Sequence, residues 1–226
     1  CPRFYKLSMY FLYLLKIDDI KSIDSHNMYE VYDRWPQISR ENFSANFSKI
    51  DIKNIDHIVF AGMGGSGTIG DVFASILSKT DIHVSVVKGY LLPKTVDSNT
   101  LVVTTSISGN TLETITILKN VEKLNAKFVA LFSGGVMEKF CVDKKIEYYK
   151  IKEVHSPRAS FVGFLYSALN ILEQIVPVKK ADINKSIESL FNMQKLISSK
   201  NLNKTNEALQ IAQWIKEIPI VYYQWG

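Results

Sequence analysis

Cysteine is nearly absent from this sequence: 226 residues hold only Cys1 and Cys141. Neither belongs to a CxxC pair or a Cys/His cluster, which argues against a zinc centre and a disulfide framework. A reducing, cytoplasmic setting is the simple expectation. Long apolar runs are lacking as well. Residues 4–15 (FYKLSMYFLYLL) fall well short of the ~20 needed to span a bilayer, and they lack the small-residue cleavage site of a signal peptide. No membrane partner is expected. The sequence opens on Cys instead of Met, so Met9 and Met28 are both candidate starts, and residues 9–15 read as a helix packed on the body. Aromatic residues are also scarce among Lys179, Lys180, Lys185, Lys195, Lys200 and Lys204, where only Phe191 falls. These lysines read as a solvated helix face, and no nucleic-acid partner is expected.

What is present is an alternation of short apolar runs with helical patterns, in a chain 46% hydrophobic and 22% charged with a net charge of +5. That balance is ordinary for a globular protein, and the positive charge suits an anionic ligand. Residues 28–35 put Met28, Val31, Tyr32 and Trp35 on one helical face, and Pro36 is expected to stop them. Strands are expected at 58–61 (IVFA), 83–87 (HVSVV), 101–105, 127–132 (KFVALF) and 147–151. Helices are expected from about 67 with Ile69, Val72, Phe73 and Ile76, and from Thr111 to about Leu124. Another runs through Cys141, and one at 161–175 is apolar almost all round and should be buried. Two polar amphipathic helices, at 181–198 and 205–216, precede a last strand at 219–224. Strands that are apolar without period-2 alternation, separated by helices, imply an α/β fold: a doubly wound, parallel, five-stranded sheet covered on both faces. Ligands of such sheets bind beyond the carboxyl ends of the strands. The turns 62–67, 106–111 and 133–135 all fall there.

The stretch 101–114 (LVVTTSISGNTLET) carries the clearest chemistry. Unpaired N–H groups and the dipole at a helix start attract anions. Ser106, Ser108 and Thr111 add hydroxyls, and Gly109 admits close approach of a ligand. No lysine follows the glycine, so the stretch is not a nucleotide P-loop. The bland alternative is a capped helix after a buried strand, with Asn110 or Thr111 as N-cap. Residues 62–67 (GMGGSG) match the dinucleotide fingerprint. The acidic ribose ligand expected at the end of the second strand is missing, however, since that position reads Val87-Lys88-Gly89. Lys88 leaves a 2′-phosphorylated dinucleotide as an alternative.

GMGGSG after the first strand, SISGNTLET after the third, SGG after the fourth and SPRAS before the apolar helix resemble the sugar isomerase (SIS) fold. More narrowly, they resemble the archaeal and bacterial bifunctional phosphoglucose/phosphomannose isomerases. The resemblance covers roughly residues 58–161. It implies that Ser106, Ser108 and Thr111 hold a sugar phosphate and that Gly64, Gly65 and Ser66 lie along the sugar. It places Arg158 beside carbons 1 and 2, where a guanidinium stabilises an enediolate. The bland alternative for Arg158 is a surface ion pair. The implied activity is aldose–ketose isomerisation of glucose 6-phosphate and mannose 6-phosphate to fructose 6-phosphate, with no metal or organic cofactor. A homodimer is implied, pairing through sheet-covering helices. The implied organisation is a helical lead-in at 1–56, an SIS subdomain at 57–178 and a helical connector at 179–217. The first strand of a truncated second subdomain, similar to the first, would be 218–226.

Isomerisation also needs a base and a ring-opening acid. In the resembled family these are a Glu and a His of the second subdomain, and neither motif occurs here. His26, His57, His83 and His155 match no family position; His57 and His83 read as polar strand edges, and His155 could line the site. Glu113 reads as a partner of the helix dipole, Cys141 as buried and inert, and Tyr222, Tyr223, Gln224 and Trp225 as strand core or subunit contact. The alternative function is a sugar-phosphate-sensing SIS module that binds without chemistry.

Overall fold

The computed structural model describes residues 15–50, 52–121 and 123–216. Five strands, β1 (His57–Ala61), β2 (His83–Val87), β3 (Thr100–Ser106), β4 (Lys127–Phe132) and β5 (Tyr148–Lys150), form one sheet in the order β2-β1-β3-β4-β5. Every neighbouring pair is parallel. β1 and β3 are buried along their whole length, which is why HIVFA and TLVVTTS show no polar alternation. β2 is an edge strand and is only partly covered.

Helices take both faces. On one, Gly70 of α4 (Gly65–Leu77) packs on Phe60, and α4 also meets α7 (Phe161–Ile171). On the other, Ile117 of α5 (Leu112–Val121) clusters with Val59, Ala61 and Val102. Ile115 and Leu118 of α5 join Met137 and Cys141 of α6 (Gly135–Lys144) over Ala130 and Phe132. α7 is buried, as its composition required, and α3 (Trp35–Phe43) is bound to it by polar contacts. Ser167 Oγ donates to Asn42 Oδ1 at 2.9 Å, and Asn170 Nδ2 donates to the carbonyls of Phe43 and Ala45 at 2.9 and 2.7 Å.

The chain steps from β1 outward to β2 and then returns to the far side of β1 to make β3. The strand order therefore reverses between β1 and β3, the position at which open α/β sheets form a crevice.

Some expectations need correction. Pro36 does not stop a helix: α2 (Met28–Asp33) ends before it, and Pro36 lies in the first turn of α3. There its missing N–H has no intrahelical partner to lose. Residues 37–43 are the body of that helix. α5 ends at Val121, short of 124, and α7 ends at Ile171, short of 175.

Two compact units are distinguishable, Gln37–Ile187, which holds the whole sheet, and a second made of Cys1–Pro36 with Glu188–Gly226. Within the second unit, α1 (Ile17–Ile23), α2, the end of α8 (Lys180–Ile197) and α9 (Glu207–Ile215) are helical. The Asp33 carboxylate accepts from the Ser199 N–H and hydroxyl there, at 3.1 and 2.5 Å. Residues 9–14 of the expected first helix, the expected strand at 219–224, the Tyr222–Trp225 cluster and Cys1 lie outside the described residues. Among the described residues, no helix is long and apolar enough to cross a membrane.

Candidate functional site

All three glycine- and serine-rich turns emerge at the carboxyl edge of the sheet, and those after β3 and β4 interlock. After β3 the chain turns through Ile107, Ser108 and Gly109, with the Gly109 N–H donating to the Ser106 carbonyl at 2.9 Å. The turn after β4 is bound to it: the Ser133 N–H donates to the Ile107 carbonyl and the Met137 N–H to the Gly109 carbonyl, each at 3.0 Å. Gly109 sits at φ +67° in the left-handed region, and a methyl group there would collide with the Gly134 carbonyl oxygen. Gly135 mirrors it at φ +76°, where a methyl group would crowd Asn110 Oδ1 and the Ser108 carbonyl. Only glycine meets both demands.

Thr111 stands at the N-cap position of α5, its carbonyl accepting from the Ile115 N–H at 2.9 Å, whereas Asn110 does not cap this helix. Asn110 Oδ1 accepts from the Val136 N–H at 3.0 Å, so this side chain caps α6, the following helix, and its Nδ2 donates to the Ser108 carbonyl at 3.1 Å. The Thr111 hydroxyl lies 2.9 Å from the Ser106 hydroxyl. Among the described residues no side chain accepts from the first N–H groups of α5, so that helix presents its positive end and unpaired donors to the crevice. Ser106, Ser108 and Thr111 surround it. Ser106 is buried, whereas Ser108 and Thr111 are half-exposed.

Across the switch point lies the first glycine turn. Gly64 and Gly65 are exposed at the start of α4, and Ser66 is tucked in behind them. A methyl group at Gly65 would touch the ring of Phe161, the first residue of α7, at 3.9 Å. Arg158 is three residues earlier, and its carbonyl accepts from the Phe161 N–H at 3.3 Å. The fold thus brings the Arg158 loop beside the Gly64–Ser66 turn, although the two are more than ninety residues apart in sequence. The Arg158 side chain is exposed and forms no hydrogen bond or ion pair with any described residue. Among the described residues, nothing bears out the surface-ion-pair reading. His155, nearby, is exposed at φ +67° and bridges a tight turn in which the Ser156 N–H donates to the Val154 carbonyl at 2.8 Å.

Other assignments fall into place around this centre. The Glu113 carboxylate faces Tyr90, holding the phenol above its ordinary range through its charge, with burial and a hydrogen bond adding to the effect. Sequence alone gave Glu113 the helix dipole as its partner and did not reveal Tyr90. Lys88, the residue that kept a dinucleotide in contention, spends its ammonium on Asp71 at 2.7 Å. Cys141 is fully buried, and burial pushes its thiol up to about 11. Among the described residues, no group of three or more His, Cys, Asp or Glu side chains could hold a metal ion.

The model of the SIS domain matches residues 51–169, which contain β1 to β5 and all three turns. The chain belongs to the SIS domain family. Among curated proteins it is similar to the bifunctional phosphoglucose/phosphomannose isomerase of Caldicellulosiruptor bescii. The two are 30% identical over 190 residues, which are 80% of this chain and 54% of the relative. It is also similar to the D-glucosamine-6-phosphate 4-epimerase of Sulfolobus acidocaldarius, at 26% identity over 85% of this chain and 62% of the relative. The SIS chain thus spans about half to two thirds of these relatives' lengths. Among solved structures, tagatose-6-phosphate ketose/aldose isomerase from Escherichia coli shares the fold, with a TM-score of 0.53 and 15% identity. That match covers 74% of this chain and 51% of the solved one.

Proposed function

We propose that this SIS unit binds hexose 6-phosphates for aldose–ketose isomerisation, converting glucose 6-phosphate and mannose 6-phosphate to fructose 6-phosphate through an enediolate. The observation that carries the reading is the start of α5, whose first N–H groups have no side-chain acceptor among the described residues and which follows the hydroxyls of Ser106, Ser108 and Thr111 in one loop. A phosphate dianion matches those donors and that dipole. With the phosphate there, the sugar extends past Gly64, Gly65 and Ser66 toward Arg158. Moving a proton between carbons 2 and 1 leaves negative charge on the neighbouring oxygens, and a guanidinium fixed beside them lowers the barrier. The base and the ring-opening acid are assigned to the part of the relatives' length that this chain does not span. The names of the relatives support a phosphosugar substrate. A second reading is a module that binds a sugar phosphate without turning it over.

Thermal unfolding with added ligand tests both. Binding to the folded state raises the midpoint by mass action. Glucose 6-phosphate and 5-phosphoarabinonate, an enediolate mimic, are expected to raise it, and Ser108→Ala is expected to abolish the rise. A preference for glucose 6-phosphate over 5-phosphoarabinonate would favour the sensing module. A response to glucosamine 6-phosphate alone would move the substrate to amino sugars. A response to NADPH alone would overturn the sugar-phosphate reading.

A further inference from the structure

We infer that Ser133 and Glu153 form a positioning bridge that fixes the Arg158 loop relative to the phosphate loop. The inference rests on the sugar-phosphate reading and adds two residues to it. Ser133 follows β4, which lies between β3 and β5, so it stands between the strand that feeds the phosphate loop and the strand that feeds the Arg158 loop. It reaches both. Its N–H donates to the carbonyl of Ile107, the residue between Ser106 and Ser108, at 3.0 Å. Its hydroxyl donates to Glu153 Oε2 at 3.2 Å.

Glu153 is well placed to transmit that hold. β5 is only three residues long, and the Ile151 N–H makes a sheet-like bond to the Phe132 carbonyl at 2.8 Å just before Glu153. Immediately after Glu153 the chain closes on itself as a small hydrogen-bonded loop. The Val154 N–H donates to Ser160 Oγ at 2.8 Å, and that hydroxyl donates to the Ser156 carbonyl at 2.9 Å. The turn at His155, with its positive φ, tightens the loop further. Arg158 is carried inside this closed loop, so anchoring Glu153 anchors the loop's entry.

The need for such an anchor follows from the chemistry. Phosphate and developing oxyanion sit at opposite ends of one substrate, so the two sites that bind them must keep a fixed separation. Errors on the order of 1 Å in such a spacing are costly. Ser133 and Glu153 set that spacing through the Ile107 carbonyl and the loop backbone. They are positioning residues, and the reacting carbons are left to Arg158.

Calorimetric titration of the full chain with two ligands tests the bridge. 5-Phosphoarabinonate presents a phosphate and a second anionic group for Arg158, whereas sorbitol 6-phosphate presents the phosphate and only neutral hydroxyls. Ser133→Ala is expected to weaken 5-phosphoarabinonate about tenfold while changing sorbitol 6-phosphate and the unfolding midpoint little. Glu153→Ala removes the same hydrogen bond from the other side and should give the same selective loss. Ser133→Thr, which keeps the hydroxyl, should restore binding. In an Arg158→Ala background Ser133→Ala should add no further loss. Equal weakening of both ligands, or of neither, would overturn the bridge alone. Failure of the unsubstituted chain to bind either ligand would overturn the sugar-phosphate reading, and the bridge with it.

Discussion

At the carboxyl edge of the sheet β1, β3 and β4 run out into Gly62, Ile107 and Ser133, and the turns after β3 and β4 are bound to one another largely through main-chain hydrogen bonds. At the amino edge β1, β2 and β3 begin with His57, His83 and Thr100, which stand side by side in the strand register. Side-chain links there add to main-chain bonds such as that from the His83 N–H to the Asp56 carbonyl at 2.7 Å. His57 Nε2 lies 3.0 Å from Ser85 Oγ, His57 Nδ1 lies 3.4 Å from Thr100 Oγ1, and the Thr100 hydroxyl donates to Asp97 at 3.1 Å. The histidine rings approach to 4.8 Å between centroids. The polar-edge expectation therefore holds for exposed His83 but not for His57, which is buried and satisfied. One edge keeps donors open and the other closes its polar groups on themselves. The cause is directional: in a parallel sheet every strand-to-helix turn, and so every helix start, lies at the carboxyl edge.

That contrast can be broken or sharpened by experiment. The largest effect is expected from Gly109→Ala, because the added methyl strikes the Gly134 carbonyl at a positive φ. We expect a loss on the order of 3 kcal/mol in stability, visible in chemical denaturation, together with loss of sugar-phosphate binding. Unchanged stability would mean that the carboxyl-edge turns are not interlocked. Ser108→Ala comes next. It removes one hydroxyl to a charged ligand, a change of about 1.5–3 kcal/mol, so calorimetry should show roughly ten- to hundredfold weaker glucose 6-phosphate binding with an unaltered unfolding midpoint.

The amino edge should respond to pH instead of ligand. Burial, with His83 adding to it, lowers the His57 pKa below the ordinary value of 6.5. Asp97, Asp56 and a hydrogen bond to the Thr95 backbone oppose the shift more weakly. The unfolded chain then takes up this proton before the folded one, so the His57 contribution is complete above pH 6.5 and declines as pH falls from there through the folded-state pKa. His57→Asn should flatten the midpoint–pH curve over that window and leave the ligand response intact. The smallest effect belongs to Lys88→Ala. Lys88 and Asp71 are 43% and 42% exposed, and such a pair contributes about 0.5 kcal/mol or less, so thermal unfolding should barely register its loss.

Much of this fold is legible in the chain itself. β2 and β4 occupy the residues expected of them, and β1 and β3 extend by one or two, because a buried strand announces itself as a short apolar run closed by glycine or serine. Pro36 misled because proline is compatible with both the end of one helix and the first turn of the next. Asn110 misled for a related reason. Its sequence position beside α5 suggested a local cap, while its amide found the start of α6, 26 residues away from it.

The sequence by itself determined the alternation of strands and helices, the burial of α7 and the collection of Ser106, Ser108 and Thr111 in one loop. All of these depend on neighbours within a few positions. Only the tertiary structure decided that, among the described residues, the first N–H groups of α5 would find no side-chain acceptor and Arg158 no partner beside the Gly64–Ser66 turn, and that Ser133 would meet Glu153. Those outcomes depend on the order β2-β1-β3-β4-β5. That order is set by how the apolar faces of whole helices and strands pack together, and no local spacing records it.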